Sequence, residues 1–181
     1  MRNALRLLYV ALLLVVSAAL ARADVFSGLD VMSSTVVQQH QSSFSGLGLR
    51  ARVKSARIVE GIDFLPYVEY WRNSATVEPF GITTARKDAT LGADVRFSFQ
   101  RTGWKPYLGA GFGLHFLSTE VDAPSLGLRH ASDSVIKGGL SGLAGVSFPL
   151  STHLDNFIEL KYHHLPGFSQ LKVNWGLAWG L

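Results

Sequence analysis

No cysteine occurs among the 181 residues, which excludes a disulfide framework, a thiolate metal site and a cysteine nucleophile. Charge is scarce too: 17% of the residues are Asp, Glu, Lys or Arg against 48% hydrophobic, and the mean hydropathy is +0.21. A chain this apolar is neither a disordered tail nor a linker. An excess of one charge is also missing once the first segment is set apart. Arg2, Arg6 and Arg22 all precede the first acid, Asp24, so the rest of the chain carries 14 basic and 13 acidic residues. The basic pI therefore marks no basic patch, and nucleic acid is not expected as a partner. Beyond residue 24 there is no second long apolar run, so the hydrophobicity is not held in transmembrane helices. Repeats of solenoid period are absent as well.

The first 23 residues, MRNALRLLYVALLLVVSAALARA, read as an export signal. Arg2 and Arg6 make a basic start, and Leu7 to Leu20 is an apolar run interrupted only by Tyr9 and Ser17. Ala21-Arg22-Ala23 then offers small residues at the two positions a signal peptidase requires. The run is shorter than the about 20 apolar residues of a membrane span. Cleavage is expected between Ala23 and Asp24, leaving 24–181 as the exported domain.

What the remainder has in abundance is alternation. Ala89, Leu91, Ala93, Val95, Phe97 and Phe99 interleave with Thr90, Gly92, Asp94, Arg96, Ser98 and Gln100. The same period of two runs through 108–116 and 171–181, and more weakly through 25–33, 44–54, 62–71, 137–148 and 154–163. Period two means strands with one apolar and one polar or small face, and the segments make eight strands. Their links alternate between short ones, near 100–106 and 149–152, and long polar stretches at 72–88 and 118–134, with a shorter Gln/Ser-rich one at 34–43. That asymmetry is expected of a membrane barrel with both termini on one side.

Alternation alone also fits a soluble barrel with inverted faces. Three features favour the membrane. Glycine crowds the polar face (Gly46, Gly48, Gly92, Gly109, Gly111, Gly113, Gly176 and Gly180), where a narrow lumen needs small side chains beside large ones. Charges of both signs share that face: Arg50, Arg52, Arg96, Lys161 and Lys172 against Asp30, Glu69, Asp94 and Glu159. Such near balance is what buried charges need to find partners, and Glu69 is expected to pair with Arg50, Arg52 or Arg96. Lastly, Tyr70, Trp71, Phe97, Phe99, Phe148, Tyr162, Trp175 and Trp179 gather toward strand ends as a candidate interfacial girdle.

The C-terminal run Asn174-Trp175-Gly176-Leu177-Ala178-Trp179-Gly180-Leu181 resembles the terminal assembly signal of bacterial outer-membrane proteins. Asn174, Gly176, Trp179 and Leu181 occupy its polar, glycine and two hydrophobic positions, with Leu181 standing where Phe or Trp is usual. Lys105 to Gly113 (KPYLGAGFG) is similar to a strand frequent in small outer-membrane barrel domains. The resemblance spans nearly all of 24–181 and is to the OmpA/OmpX-type barrel. It implies an all-β fold, an eight-stranded antiparallel up-and-down transmembrane β-barrel after an N-terminal signal peptide, located in the cell outer membrane.

Catalytic and cofactor sets are not evident. His163, His164, Glu159 and Ser169 bring to mind the Ser-His-Glu set of lipid A deacylases, themselves small eight-stranded barrels. That family has its serine two residues after the histidine, where this chain has Leu165 and Pro166, and no acid follows Glu159. His40, His115, His130, His153, His163 and His164 are scattered, and the adjacent pair points to opposite faces of a strand, so no metal site follows. His115 reads as a hydrogen-bonded lumen residue. Gly109, Gly111 and Gly113 lie within a strand, whereas a phosphate loop needs a strand-to-helix turn. The expected role is therefore non-enzymatic, structural or surface-interactive, with loops presented from a side-chain-filled barrel. Those loops carry Glu78, Arg86, Lys87, Asp88, Glu120, Asp122 and Arg129. Expected partners are outer-membrane lipid and lipopolysaccharide, the outer-membrane assembly machinery and an extracellular ligand. A narrow pore or carrier for small or apolar solutes is the alternative, and a lipid A-modifying hydrolase is less favoured.

Overall fold

The computed structural model describes residues 26–38, 43–54, 61–77, 81–100, 102–123 and 128–180. Ala21, Ala23 and Asp24 of the export signal lie outside the described residues, as does Leu181. Eight strands follow one another: β1 (Phe26–Gln38), β2 (Phe44–Lys54), β3 (Ile62–Val77), β4 (Ile82–Ser98), β5 (Lys105–Ala123), β6 (Leu128–Ser151), β7 (Leu154–Leu165) and β8 (Phe168–Gly180). Each pairs antiparallel with the next, and β1 pairs with β8 from Gly28↔Gly180 to Gln38↔Gln170, closing the barrel.

The period of two becomes two concentric surfaces. On β8, Leu171, Val173, Trp175, Leu177 and Trp179 face outward, while Gln170, Lys172, Asn174, Gly176 and Ala178 are buried inside. On β7, Ile158, Leu160 and Tyr162 face out, and Phe157, Glu159, Lys161 and His163 face in. The apolar rows therefore lie on the outside, the arrangement for lipid, and closure leaves no backbone edge exposed to hydrocarbon. The β2–β3 ladder skips the pairs opposite Leu65 and Pro66, where the proline has no N–H to give.

Inward glycines make room for inward rings. A Cβ on Gly145 would stand 2.5 Å from the Tyr107 hydroxyl, and one on Gly176 would stand 2.6 Å from Phe157 Cζ. The β7–β8 link is only Pro166 and Gly167. Proline presets the first turn position and Gly167 takes φ +91° at the next, a conformation open to glycine.

Two expectations are corrected. The stretches at 72–88 and 118–134 are mostly strand, not loop. β3 and β4 stay paired from Arg72↔Lys87 to Val77↔Ile82, and β5 and β6 from Ser118↔Ser134 to Ala123↔Leu128. Likewise β1 continues through 34–38. Outside the bilayer both faces of a hairpin are wet, so its strands need no apolar alternation to pair. The barrel is consequently lopsided: β3 to β6 run 16, 17, 19 and 24 residues, against 13, 11, 12 and 13 for β1, β2, β7 and β8. The second correction is Trp71, which is 3% exposed and meets the Phe44 ring at a tilt, their centroids 4.6 Å apart. Adjacent strand residues face opposite ways, so with Tyr70 outward at 49% exposure, Trp71 points into the lumen rather than joining a girdle.

Candidate functional site

The inward side chains fill the lumen in tiers. Nearest the chain ends, Arg50 on β2 spans the barrel. Its Nε donates to Asp30 Oδ2 on β1 at 2.9 Å and its Nη1 to Glu159 Oε2 on β7 at 2.9 Å. Arg52 Nη2 donates to the other oxygen of Asp30 at 2.7 Å. The Tyr107 hydroxyl and Asn174 Nδ2 donate to Glu159 at 3.1 and 2.9 Å. At the rim below, Arg96 Nη2 donates to Asp63 at 2.7 Å and Lys105 Nζ to Asp155 at 2.8 Å.

In the middle tier Lys161 on β7 reaches across to β4 and β3. Its Nζ donates to Asp94 Oδ2 at 2.6 Å, stands 3.6 Å from Glu69 Oε1 and lies 3.5 Å from the centre of the Tyr67 ring. Lys172 on β8 donates to Glu69 Oε2, and Ser141 donates to Asp94 at 3.1 Å. The expected pairing of Glu69 with Arg50, Arg52 or Arg96 is thus overturned. Long lysine chains cross a narrow lumen to reach it, while Arg50 and Arg52 turn to Asp30 on the adjoining strand.

The far tier holds residues absent from the expected charge set. Asp88 is fully buried with its Oδ2 2.8 Å from His115 Nδ1, and the Thr90 hydroxyl lies 3.0 Å from that nitrogen. Gln170 Nε2 stands 3.5 Å from Asp88, and the His163 ring meets His115 edge-on at 5.1 Å. Asp88 extends the inward series Asp94, Gly92, Thr90, which would have revealed it had 72–88 been read as strand. The nine charges expected inside (Asp30, Arg50, Arg52, Glu69, Asp94, Arg96, Glu159, Lys161 and Lys172) each lie within an ion pair. Such pairing offsets a desolvation cost of several kcal/mol per ion.

On the outer wall the aromatics cluster near the chain ends. Phe97 and Phe99 meet edge-on at 5.2 Å, and Trp104 stacks on Phe148 at 5.4 Å. At the far end His164 Nδ1 lies 3.3 Å from the Ser169 hydroxyl on the outward face. Glu159, the acid considered with them, points into the lumen and is held by Arg50, so the wall separates it from that pair. In the C-terminal run, Asn174 is a lumen donor, Gly176 lies under Phe157 and Trp179 faces outward.

A side-chain-filled, ion-paired lumen inside an apolar wall is set beside known proteins of similar fold. Neisserial surface protein A is similar at a TM-score of 0.64 and 17% identity, over 86% of this chain and 96% of that one. Ail, the attachment invasion locus protein of Yersinia pestis, solved in complex with the heparin analogue sucrose octasulfate, matches at 0.62 and 15%, over 87% and 99%. A major outer membrane protein from Thermus thermophilus matches at 0.67 and 13%, over 86% and 99%. These likenesses are of fold. No curated protein matches the chain. The family model described as Opacity family porin protein matches residues 50–180. The chain is therefore an outer-membrane β-barrel, and it belongs to the Opacity family of porin proteins.

Proposed function

We propose that the barrel is a rigid anchor whose working part is the sheet raised above the membrane by β3, β4, β5 and β6, and that the free edge of β6 engages an external protein. One observation carries this reading. β6 pairs with β5 up to Leu128, but its pairing with β7 begins only at Leu140↔His164. Among the described residues no strand covers the other side of 128–138. That edge presents Val135 and Ile136, 47% and 63% exposed. An uncovered strand edge is a ready template for an extended segment of a partner, which would add a strand to it.

The rest of the reading follows the geometry. The lumen charges act as a plug that holds the strands in place, with no catalytic part, and the His164–Ser169 pair has no acid beside it among the described residues. Residues 1–23 are removed on export, and intact-mass measurement of the exported protein should begin at Asp24. Asn174, Gly176, Trp179 and Leu181 serve the assembly machinery, and the far rim meets lipopolysaccharide. The edge is tested by displaying the protein and its V135K/I136K variant on cells and exposing both to labelled soluble proteins. Retention that needs the native edge supports the reading. Equal retention by both, or none, contradicts it.

A further inference from the structure

The outward faces of β3 and β4 change character in a single step. Tyr70 and Ala89 sit opposite each other at the top of the apolar band, and the next outward pair is Arg72 opposite Lys87. Two cations placed directly across a ladder repel each other. Lys87 is offset by Glu120, whose Oε1 accepts from its Nζ at 2.5 Å. Arg72 is exposed, and no ion pair is seen for it among the described residues. Glu120 is thus held by Lys87, and the guanidinium of Arg72 stands exposed at headgroup level. On the opposite wall the corresponding outward pair holds no lysine or arginine: it is His164 with Ser169, and they bond to each other. Among the described residues the step from apolar pair to lysine and arginine pair is thus seen on the β3–β4 side and not on the β7–β8 side.

We infer that Arg72 and Lys87 form a seat for the phosphate group of an outer-leaflet lipid, with Tyr70 beneath it lying along the lipid. Arginine matches phosphate oxygens with two parallel N–H donors, and lysine adds a point charge. Tyrosine is suited to this depth, its ring among acyl chains and its hydroxyl among headgroups. A soluble polyanion such as a sulfated glycan has no reason to seek the row that borders hydrocarbon, so the position favours a lipid. The inference rests on the outer-membrane placement of the barrel and not on the free β6 edge. It names the contact by which the rim meets lipopolysaccharide or an anionic phospholipid.

The test uses protein extracted from outer membranes into detergent, compared as wild type, R72Q/K87Q and R86Q. Arg86 neighbours the seat but stands on the alternate face of β4. Its variant therefore controls for loss of a nearby charge. All three should show the same heat-dependent gel shift, which certifies a folded membrane barrel independently of the lipid result. Adding lipopolysaccharide with intact lipid A phosphates should then raise the thermal midpoint of wild type and R86Q by several degrees and leave R72Q/K87Q unmoved. Dephosphorylated lipopolysaccharide should raise none of them. Phosphatidylglycerol micelles separate the sources: a rise there as well makes the seat general for lipid phosphate, and its absence restricts it to lipid A. The inference is overturned if R72Q/K87Q responds like wild type, if dephosphorylated lipid works equally well, or if only sucrose octasulfate gives the shift.

Discussion

The two walls of this barrel obey different rules along the same strands. The short wall of β7, β8, β1 and β2 lies mostly within the apolar band, and buried and exposed residues alternate along β8 and along β7 from Phe157 onward. The tall wall of β3 to β6 obeys that alternation only below Tyr70, Ala89, Phe116 and Ile136. Above them Ser74, Thr76, Ser132 and Ser134 remain in strands with water on both sides. Lipid demands an apolar outer face and complete backbone pairing, whereas water demands neither. The hydrogen-bonded ladder alone carries the tall wall upward. The lumen joins the walls, because Lys161 and Lys172 on the short side hold Asp94 and Glu69 on the tall side.

The largest expected effect comes from cutting that tie. Glu69→Ala leaves Lys172 without its carboxylate in a closed interior and should lower unfolding free energy by about 3–5 kcal/mol, the cost of orphaning a buried charge. Urea unfolding in detergent micelles measures it, and an unchanged midpoint would mean the walls are not joined there. Next is Leu160→Arg, midway along the outward face of β7, which should cost about 2–4 kcal/mol in a bilayer. The smallest is Ser132→Lys on the raised part of β6, where surface substitutions stay within about 0.5 kcal/mol. If the last two variants unfold alike, the division between lipid-bound and water-bound strand is misplaced.

How far the sequence alone could go follows from the same division. Period two made the eight strands, their faces and the glycine-rich lumen legible, because inward rings such as Tyr107 and Phe157 need a glycine opposite. Strand ends beyond the bilayer were not legible, since 72–88 and 118–134 are polar on both faces and look like loops. Asp88 was hidden for that reason although it continues the inward series from Asp94. The partner of Glu69 was hidden for another. Alternation assigns a residue to the lumen but gives no angle around the barrel axis, and the long lysine side chains of β7 and β8 cross to Glu69 while the nearer arginines turn elsewhere. Trp71 was legible all along, since it adjoins an outward Tyr70.

Hydrogen exchange along β6, in the protein held in micelles, tests the two-wall account most directly. The expected result is a break within one strand. Amides from 140 to 147, paired on both sides, exchange slowly, and from 131 to 138 every second amide exchanges fast, since alternate residues of a singly paired antiparallel strand turn their N–H away from the ladder. Uniform protection from 131 to 147 would show that the β6 edge is covered and contradict the account. Uniformly fast exchange would contradict closure of the barrel between β6 and β7.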